Sequence, residues 1–192
     1  MFLNPPDANK YPKCAKWMSA LEQRVKSTPK LLNAFIQACV ADDQFKSTPA
    51  QVERIARRAL AWAAPPRIEV YDDGLLTVPE AGVPVLACGY TNVLEIAFGR
   101  KPFLLITSIW FDAVEFGNPD EQSKNVERLT RTLLHEAVHW VRNEAGASDS
   151  ILVGGYKGQY KEAGRTFEEW AYGSPNVCTK ENIEDAIFSI QK

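Results

Sequence analysis

The stretch Thr132-Leu133-Leu134-His135-Glu136-Ala137-Val138-His139 lies within the most regular segment of the chain. Apolar residues recur around it at intervals of three and four positions, from Val126 to Val141. This spacing places them on one face of a helix. Asn118-Pro119-Asp120-Glu121 supplies acidic residues where the helix dipole favours them, at the start of the helix. The pattern predicts a long helix that begins there and ends between Asn143 and Gly146.

The same stretch predicts a metal site. His135 and His139 are four residues apart, so both imidazoles lie on one face of the helix and can bind one Zn²⁺. Glu136 lies beside them, where it can accept a proton from a zinc-activated water and pass it to the leaving amine. This is the HExxH pattern, and the chain has no other histidine. The motif predicts a zinc-dependent metallopeptidase with Glu136 as general base.

A catalytic zinc needs a third protein ligand, which here must be an Asp, Glu, Cys or Tyr residue. The segment from Thr166 to Gly173 is a predicted short helix with adjacent carboxylates at Glu168 and Glu169. Adjacent helical residues point about 100° apart, so only one of the two is expected to reach the metal. Spacing alone leaves the choice between them open.

Two segments together resemble a known family. The TLxHExxH stretch followed by Glu169-Trp170-Ala171-Tyr172-Gly173 is similar to the aspzincin metallopeptidases, the deuterolysin and peptidyl-lysine metalloendopeptidase group, which show a DxxYG segment. The resemblance runs from about Cys88 to Gly173. It implies that Glu169 takes the place of the family's zinc-binding aspartate, with Glu168 as second choice. It also implies that Tyr172 helps stabilise the oxyanion of the tetrahedral intermediate.

The chain departs from that family in two ways: glutamate replaces aspartate, and a longer glycine-rich stretch, 146–164, follows the second histidine. We interpret this stretch as a loop or a flap that carries Tyr156 and Tyr160. A glutamate ligand is also found in bacterial type VI secretion effectors, whose metallopeptidase domains this chain resembles. That likeness implies a secreted toxin, with a possible cognate immunity protein as partner besides a peptide or protein substrate.

The remaining pattern predicts an α+β fold in a single domain, residues 1–192, and the resemblance implies that this fold is zincin-like. Residues 1–66 are predicted to be helical, 67–110 to form a small, mostly antiparallel sheet, and 119–173 to form the active-site part, followed by a C-terminal helix. In zincins the substrate lies along a sheet edge beside the active-site helix, so the resemblance implies that one of two strands, Phe103 to Ile109 or Val93 to Phe98, borders the substrate.

Composition excludes some functions. The net charge of -2 and pI of about 5.8 argue against nucleic-acid binding, and no apolar run is long enough to span a membrane. Residues 1–10 lack the apolar core of a signal peptide, so we expect secretion without a cleaved signal, with a cytoplasmic location as alternative. The four cysteines, Cys14, Cys39, Cys88 and Cys178, predict either two disulfides or four buried thiols.

Three other functions stay open at this point. The protein could be a cytoplasmic regulatory zincin that cleaves a repressor, or a non-catalytic zinc-binding interaction module. It could also be an amidase acting on cell-wall peptide cross-links. An intact Glu136 argues against the non-catalytic module, because a structural zinc site has no need of a general base. The sequence does not specify the substrate.

Overall fold

The N-terminal part of the protein is helical. The computed structural model describes residues 1–41, 46–72, 76–80, 83–92, 102–148, 150–153, 159–174 and 178–191. A short strand, β1, precedes five helices: β1 Phe2–Leu3, α1 Pro5–Lys10, α2 Pro12–Ser19, α3 Leu21–Lys26, α4 Pro29–Val40 and α5 Pro49–Leu60. Four of these helices have proline in the first turn, where its missing N–H costs nothing. Thr48 and Gln51 form a capping box that begins α5.

A mixed four-stranded sheet follows. Its strand order is β1-β2-β6-β5, with β2 at Arg67–Tyr71, β5 at Gly89–Asn92 and β6 at Phe103–Thr107. Strands β1, β2 and β6 are parallel, and β5 pairs with β6 in the antiparallel direction. A separate antiparallel hairpin, β3 Leu76–Glu80 with β4 Val83–Ala87, lies in the connection between β2 and β6.

The α+β fold class is confirmed, but the main sheet contains more parallel pairing than predicted. The connection between β2 and β6 holds a hairpin and a strand, so it is long enough to bring β6 back parallel to β2. The predicted strand from Phe103 ends at Thr107, because Thr107 accepts a hydrogen bond from the Ile109 N–H and caps the next helix, α6, Ser108–Phe116. Strand β6 lies inside the sheet, because it has β2 on one side and β5 on the other. The predicted strand 93–98 lies outside the described residues.

The long helix is confirmed as α7, Gln122–Glu144, preceded by a 3-10 turn at Pro119–Glu121. Its apolar stripe is buried, and the helix packs against α4, α5, α6 and strands β5 and β6. Near its end Arg142, fully buried, donates hydrogen bonds to the carbonyl oxygens of Ala38, Cys39 and Ala41 at the end of α4, and to that of Ser148. Arg142 thus joins the ends of α4 and α7.

A second hairpin and two helices complete the chain. Strands β7, Ser150–Val153, and β8, Gln159–Glu162, pair antiparallel, and α8 follows directly at Ala163–Tyr172. Helix α8 ends at Gly173, whose φ of 82° is the left-handed conformation that suits glycine after a helix. The last helix is α9, Lys180–Gln191. The stretch 146–164, predicted to be a loop or flap, therefore contains this hairpin and the first residues of α8. Tyr156 and the side chain of Tyr160, which the predicted flap carries, lie outside the described residues.

One disulfide and two thiols account for the four cysteines. Cys88, just before β5, is bonded to Cys178, just before α9, with Cα atoms 5.6 Å apart. Cys14 and Cys39 are buried free thiols, and burial raises the pKa of both well above the ordinary range. The sequence predicted either two disulfides or four buried thiols, and the structure has one disulfide and two buried thiols. In the described part of the chain, no helix has the length and hydropathy needed to cross a bilayer.

Candidate metal centre

Three potential metal-binding side chains meet between α7 and the start of α8. His135, His139 and Glu162 each offer a ligand atom, and these atoms lie within 4.8 Å of one another. Nε2 of His139 is 2.5 Å from Glu162 Oε1, and Nε2 of His135 is 3.6 Å from Glu162 Oε2. The two imidazole centroids are 5.2 Å apart, as expected for positions one helical turn apart. Among the described residues, these three side chains form the group whose geometry could hold a metal ion, and we call His135, His139 and Glu162 the metal group.

Glu162 is positioned by the beginning of α8. It ends β8 and caps α8, and its carboxylate accepts hydrogen bonds from the backbone N–H groups of Gly164 (2.6 Å) and Arg165 (2.8 Å). The positive end of the helix dipole favours a carboxylate at this position. Burial by itself would raise the pKa of Glu162, but the hydrogen bond from His139 and the charges of both histidines lower it to about 2. Glu162 is therefore ionised at neutral pH.

Gly164 allows α8 to approach the first histidine. A Cβ atom at this position would lie 2.5 Å from Nε2 of His135, closer than side-chain atoms pack. The obstacle is the imidazole ring itself, which is held from its other side. A residue without a side chain is therefore required where α8 meets His135.

The carboxylate of Glu168 contacts His135 at Nδ1, the ring nitrogen that is not part of the metal group. Nδ1 of His135 is 2.7 Å from Glu168 Oε1, and Glu168 Oε2 accepts a hydrogen bond from Arg131 at 3.0 Å. Glu168 is 1% exposed. A hydrogen bond at Nδ1 fixes the ring orientation and leaves Nε2 as the nitrogen available to a metal. Glu168, the second choice as ligand, thus contacts the Nδ1 side of His135 and is outside the group of three.

Glu169, the preferred ligand from sequence, is placed elsewhere. Its carboxylate forms an ion pair with Lys161 at 2.8 Å on the half-exposed side of α8, and it is not part of the metal group found among the described residues. Glu168 faces His135, so its neighbour points about 100° away around the helix. The structure brings Glu162 to the histidines instead. The sequence signal for Glu162 was a carboxylate directly before Ala163-Gly164, a small pair that can lie against another helix.

Tyr172 of α8 packs against Arg131, which lies one helical turn before His135 on α7. The Arg131 guanidinium lies 4.6 Å from the centroid of the Tyr172 ring, and Phe167 meets that ring edge-on at 6.1 Å. Burial raises the pKa of the Tyr172 hydroxyl far above its usual value, so this hydroxyl stays protonated. Tyr172 thus supports the arginine that holds Glu168. Its role towards an oxyanion stays a prediction.

Glu136 lies beside the metal group and is 6% exposed. Its Oε1 is 4.0 Å from Nε2 of His135, and its Oε2 is 2.9 Å from the Thr91 hydroxyl of β5. The carboxylate is near the histidines without being one of the three potential ligands. It can therefore take a proton from a molecule bound at the metal group.

The metal group consists of two helical histidines and a carboxylate from a following segment, with the buried Glu136 beside it. This donor set, carried by an HExxH stretch, is of a kind that could hold a metal ion. A family model described as metallopeptidase toxin 3 matches residues 7–173, and the chain belongs to this family. The match includes α7 and α8 and therefore the whole metal group. No curated protein and no solved structure matches the chain.

Proposed function

We propose that this protein is a zinc-dependent peptidase that acts as a secreted toxin on a peptide or protein substrate. His135, His139 and Glu162 are the proposed zinc ligands, and Glu136 is the proposed general base. The observation that carries the proposal is the convergence of three ligand atoms within 4.8 Å, with the Glu136 carboxylate beside them. Membership of a metallopeptidase toxin family supports both the reaction class and the biological role.

The donor set fits zinc. Two imidazole nitrogens and one carboxylate oxygen form a ligand set of catalytic zinc sites, which leave a further position open. Glu162 is ionised, and Glu168 directs Nε2 of His135 towards the group. A zinc ion held by these residues would supply Lewis-acid chemistry, lowering the pKa of a water molecule and polarising the scissile carbonyl.

The protein's own residues then handle the proton and the substrate. Glu136 Oε1 takes a proton from the attacking water and returns it to the leaving nitrogen, so the carboxylate ends ionised as it began. Strand β5, an outer strand of the described sheet, packs against α7. A substrate in extended form can add to such an edge through backbone hydrogen bonds. We therefore propose β5 as the substrate edge, in place of β6, which lies inside the sheet.

Two observations favour a secreted toxin over a cytoplasmic enzyme that cleaves a repressor. The chain belongs to a toxin family, and it has a disulfide between Cys88 and Cys178, a bond that persists mainly in oxidising compartments. Delivery by type VI secretion, the aspzincin relationship and a cognate immunity protein remain parts of the proposal that rest on the sequence resemblance. The burial of Glu136 beside the metal group favours an enzyme over a non-catalytic module.

The experiment measures bound zinc and casein cleavage in wild type and in Glu136→Gln, Glu162→Gln and Glu169→Gln. We expect one zinc per chain in wild type and in Glu136→Gln, with cleavage lost in the variant. Glu162→Gln should lose zinc during dialysis, because an amide oxygen is a weaker ligand than a carboxylate. Glu169→Gln is the matched control and should keep both zinc and activity.

Two outcomes would contradict the proposal. Zinc kept by Glu162→Gln but lost by Glu169→Gln would return the ligand role to Glu169. A wild-type protein that binds no zinc after reconstitution would remove the metal site altogether. Circular dichroism of each variant shows whether α8, which Glu162 caps, is still folded.

A further inference from the structure

The buried hydroxyl of Thr91 contacts one of the two carboxylate oxygens of Glu136 and leaves the other oxygen on the side of the histidines. Thr91 lies on β5 and is 7% exposed. Its Oγ1 is 2.9 Å from Glu136 Oε2 and also 2.9 Å from the backbone carbonyl oxygen of Glu136. A hydroxyl group carries one proton, so Thr91 can donate it either to Glu136 Oε2 or to the carbonyl oxygen, and the bond to Oε2 is the one that orients the carboxylate.

Gly89, two residues before Thr91 on β5, also packs against the Glu136 side chain. Residues two apart on a strand share a face, so Gly89 and Thr91 both face α7. A Cβ atom at position 89 would lie 2.7 Å from Glu136 Cγ and 3.0 Å from its Oε1. The backbone of β5 therefore packs directly against the Glu136 side chain, and the adjacent Cys88 joins this strand to the segment before α9 through the disulfide.

The two carboxylate oxygens of Glu136 therefore have different surroundings. Oε2 is occupied by Thr91, and Oε1 lies 4.0 Å from Nε2 of His135, on the side of the metal group. The last torsion of a glutamate side chain is broad, so burial alone does not fix the direction of its oxygens. A directed hydrogen bond to one oxygen does fix it.

We propose that Thr91 is a positioning residue that holds Glu136 in the orientation in which Oε1 faces the metal group. The proposal rests on the proposed function in taking Glu136 as the general base. Thr91 keeps its own proton throughout, and the transferred proton passes only between water, Glu136 Oε1 and the leaving nitrogen. Without Thr91 the carboxylate would rotate, and misplacement of a catalytic group by about 1 Å can lower the rate on the order of 100-fold.

The test compares Thr91→Val, which keeps the shape but loses the hydroxyl, with Thr91→Ser, which keeps the hydroxyl. Thr130→Val is the matched control, because Thr130 donates only to the Val126 carbonyl oxygen within α7. Zinc affinity, casein kcat and KM, and crystal structures of the zinc-loaded proteins are measured. For Thr91→Val we expect kcat to fall by roughly 10- to 100-fold with KM and zinc affinity within about 2-fold of wild type. Thr91→Ser should recover most of kcat.

The outcomes separate this proposal from the proposed function. If wild type cleaves casein and Thr91→Val cleaves it equally fast, Thr91 does not position the base. If wild type shows no turnover, the proposed function fails, and the crystal structures still decide the positioning role. In them, a Glu136 carboxylate rotated in Thr91→Val and unchanged in Thr91→Ser and Thr130→Val supports it, and an unchanged carboxylate in Thr91→Val overturns it.

Discussion

Removal of the disulfide between Cys88 and Cys178 should destabilise the protein strongly. The bond joins residues 90 positions apart, so it restricts a large part of the unfolded chain. For a closed loop of this size the chain-entropy relation gives a loss of about 4.6 kcal/mol at 25 °C when the cross-link is removed. This amount is comparable with the whole stability of many single domains, which is roughly 5–15 kcal/mol. The double variant Cys88→Ala/Cys178→Ala is the perturbation.

The assay is unfolding by guanidinium chloride, for wild type and for the double variant, each with and without a phosphine reductant. We expect the midpoint of wild type to fall on reduction to near that of the variant, and the variant itself not to respond. Thiol titration of unfolded, unreduced wild type should count two groups, Cys14 and Cys39. Four titrating thiols, or equal midpoints for wild type and variant without reductant, would refute the reasoning.

Two further predictions concern the approach of α8 to α7 and the packing of α4 against α7. Gly164→Ala should weaken zinc binding by at least about 10-fold in a competition titration, because the new methyl group overlaps the imidazole of His135. Helix propensity alone predicts a gain in stability of up to about 1 kcal/mol for this change, so unaltered zinc affinity would contradict the close approach. Arg142→Met should lower the free energy of unfolding by about 3 kcal/mol or more, because buried carbonyl oxygens at the end of α4 lose their donor. A change below about 0.5 kcal/mol in denaturant unfolding would show that other donors replace it.

Local pattern was sufficient for the helix that carries the site. Helix α7 could be predicted because its apolar stripe repeats every three to four residues, and the four-residue interval between His135 and His139 places both rings on one face in any helix. Proline in first turns and the capping box at Thr48 likewise mark helix starts through contacts within a few residues. These features depend on neighbours in sequence, so the sequence alone determined them.

The third side chain of the metal group was decided by tertiary structure. Glu162 reaches the histidines because it ends the hairpin of β7 and β8 directly before α8, and because Gly164 allows α8 to lie close to His135. Glu169 had the more favourable sequence context, but α8 lies on α7 with Glu168 facing His135, which turns Glu169 towards Lys161. Which side of a helix faces its partner depends on packing, and packing is not a local property.

The same limit applies to the sheet, the disulfide and the contact of Thr91 with Glu136. Strand partners, the pairing of Cys88 with Cys178 and the 2.9 Å contact from β5 to Glu136 all join residues distant in sequence. Spacing of four cysteines allows three connectivities and does not select among them. By itself the sequence determined the helix, its two histidines and the glutamate beside them. Tertiary structure decided what completes and orients that site, because contacts between distant segments form only when the whole core packs.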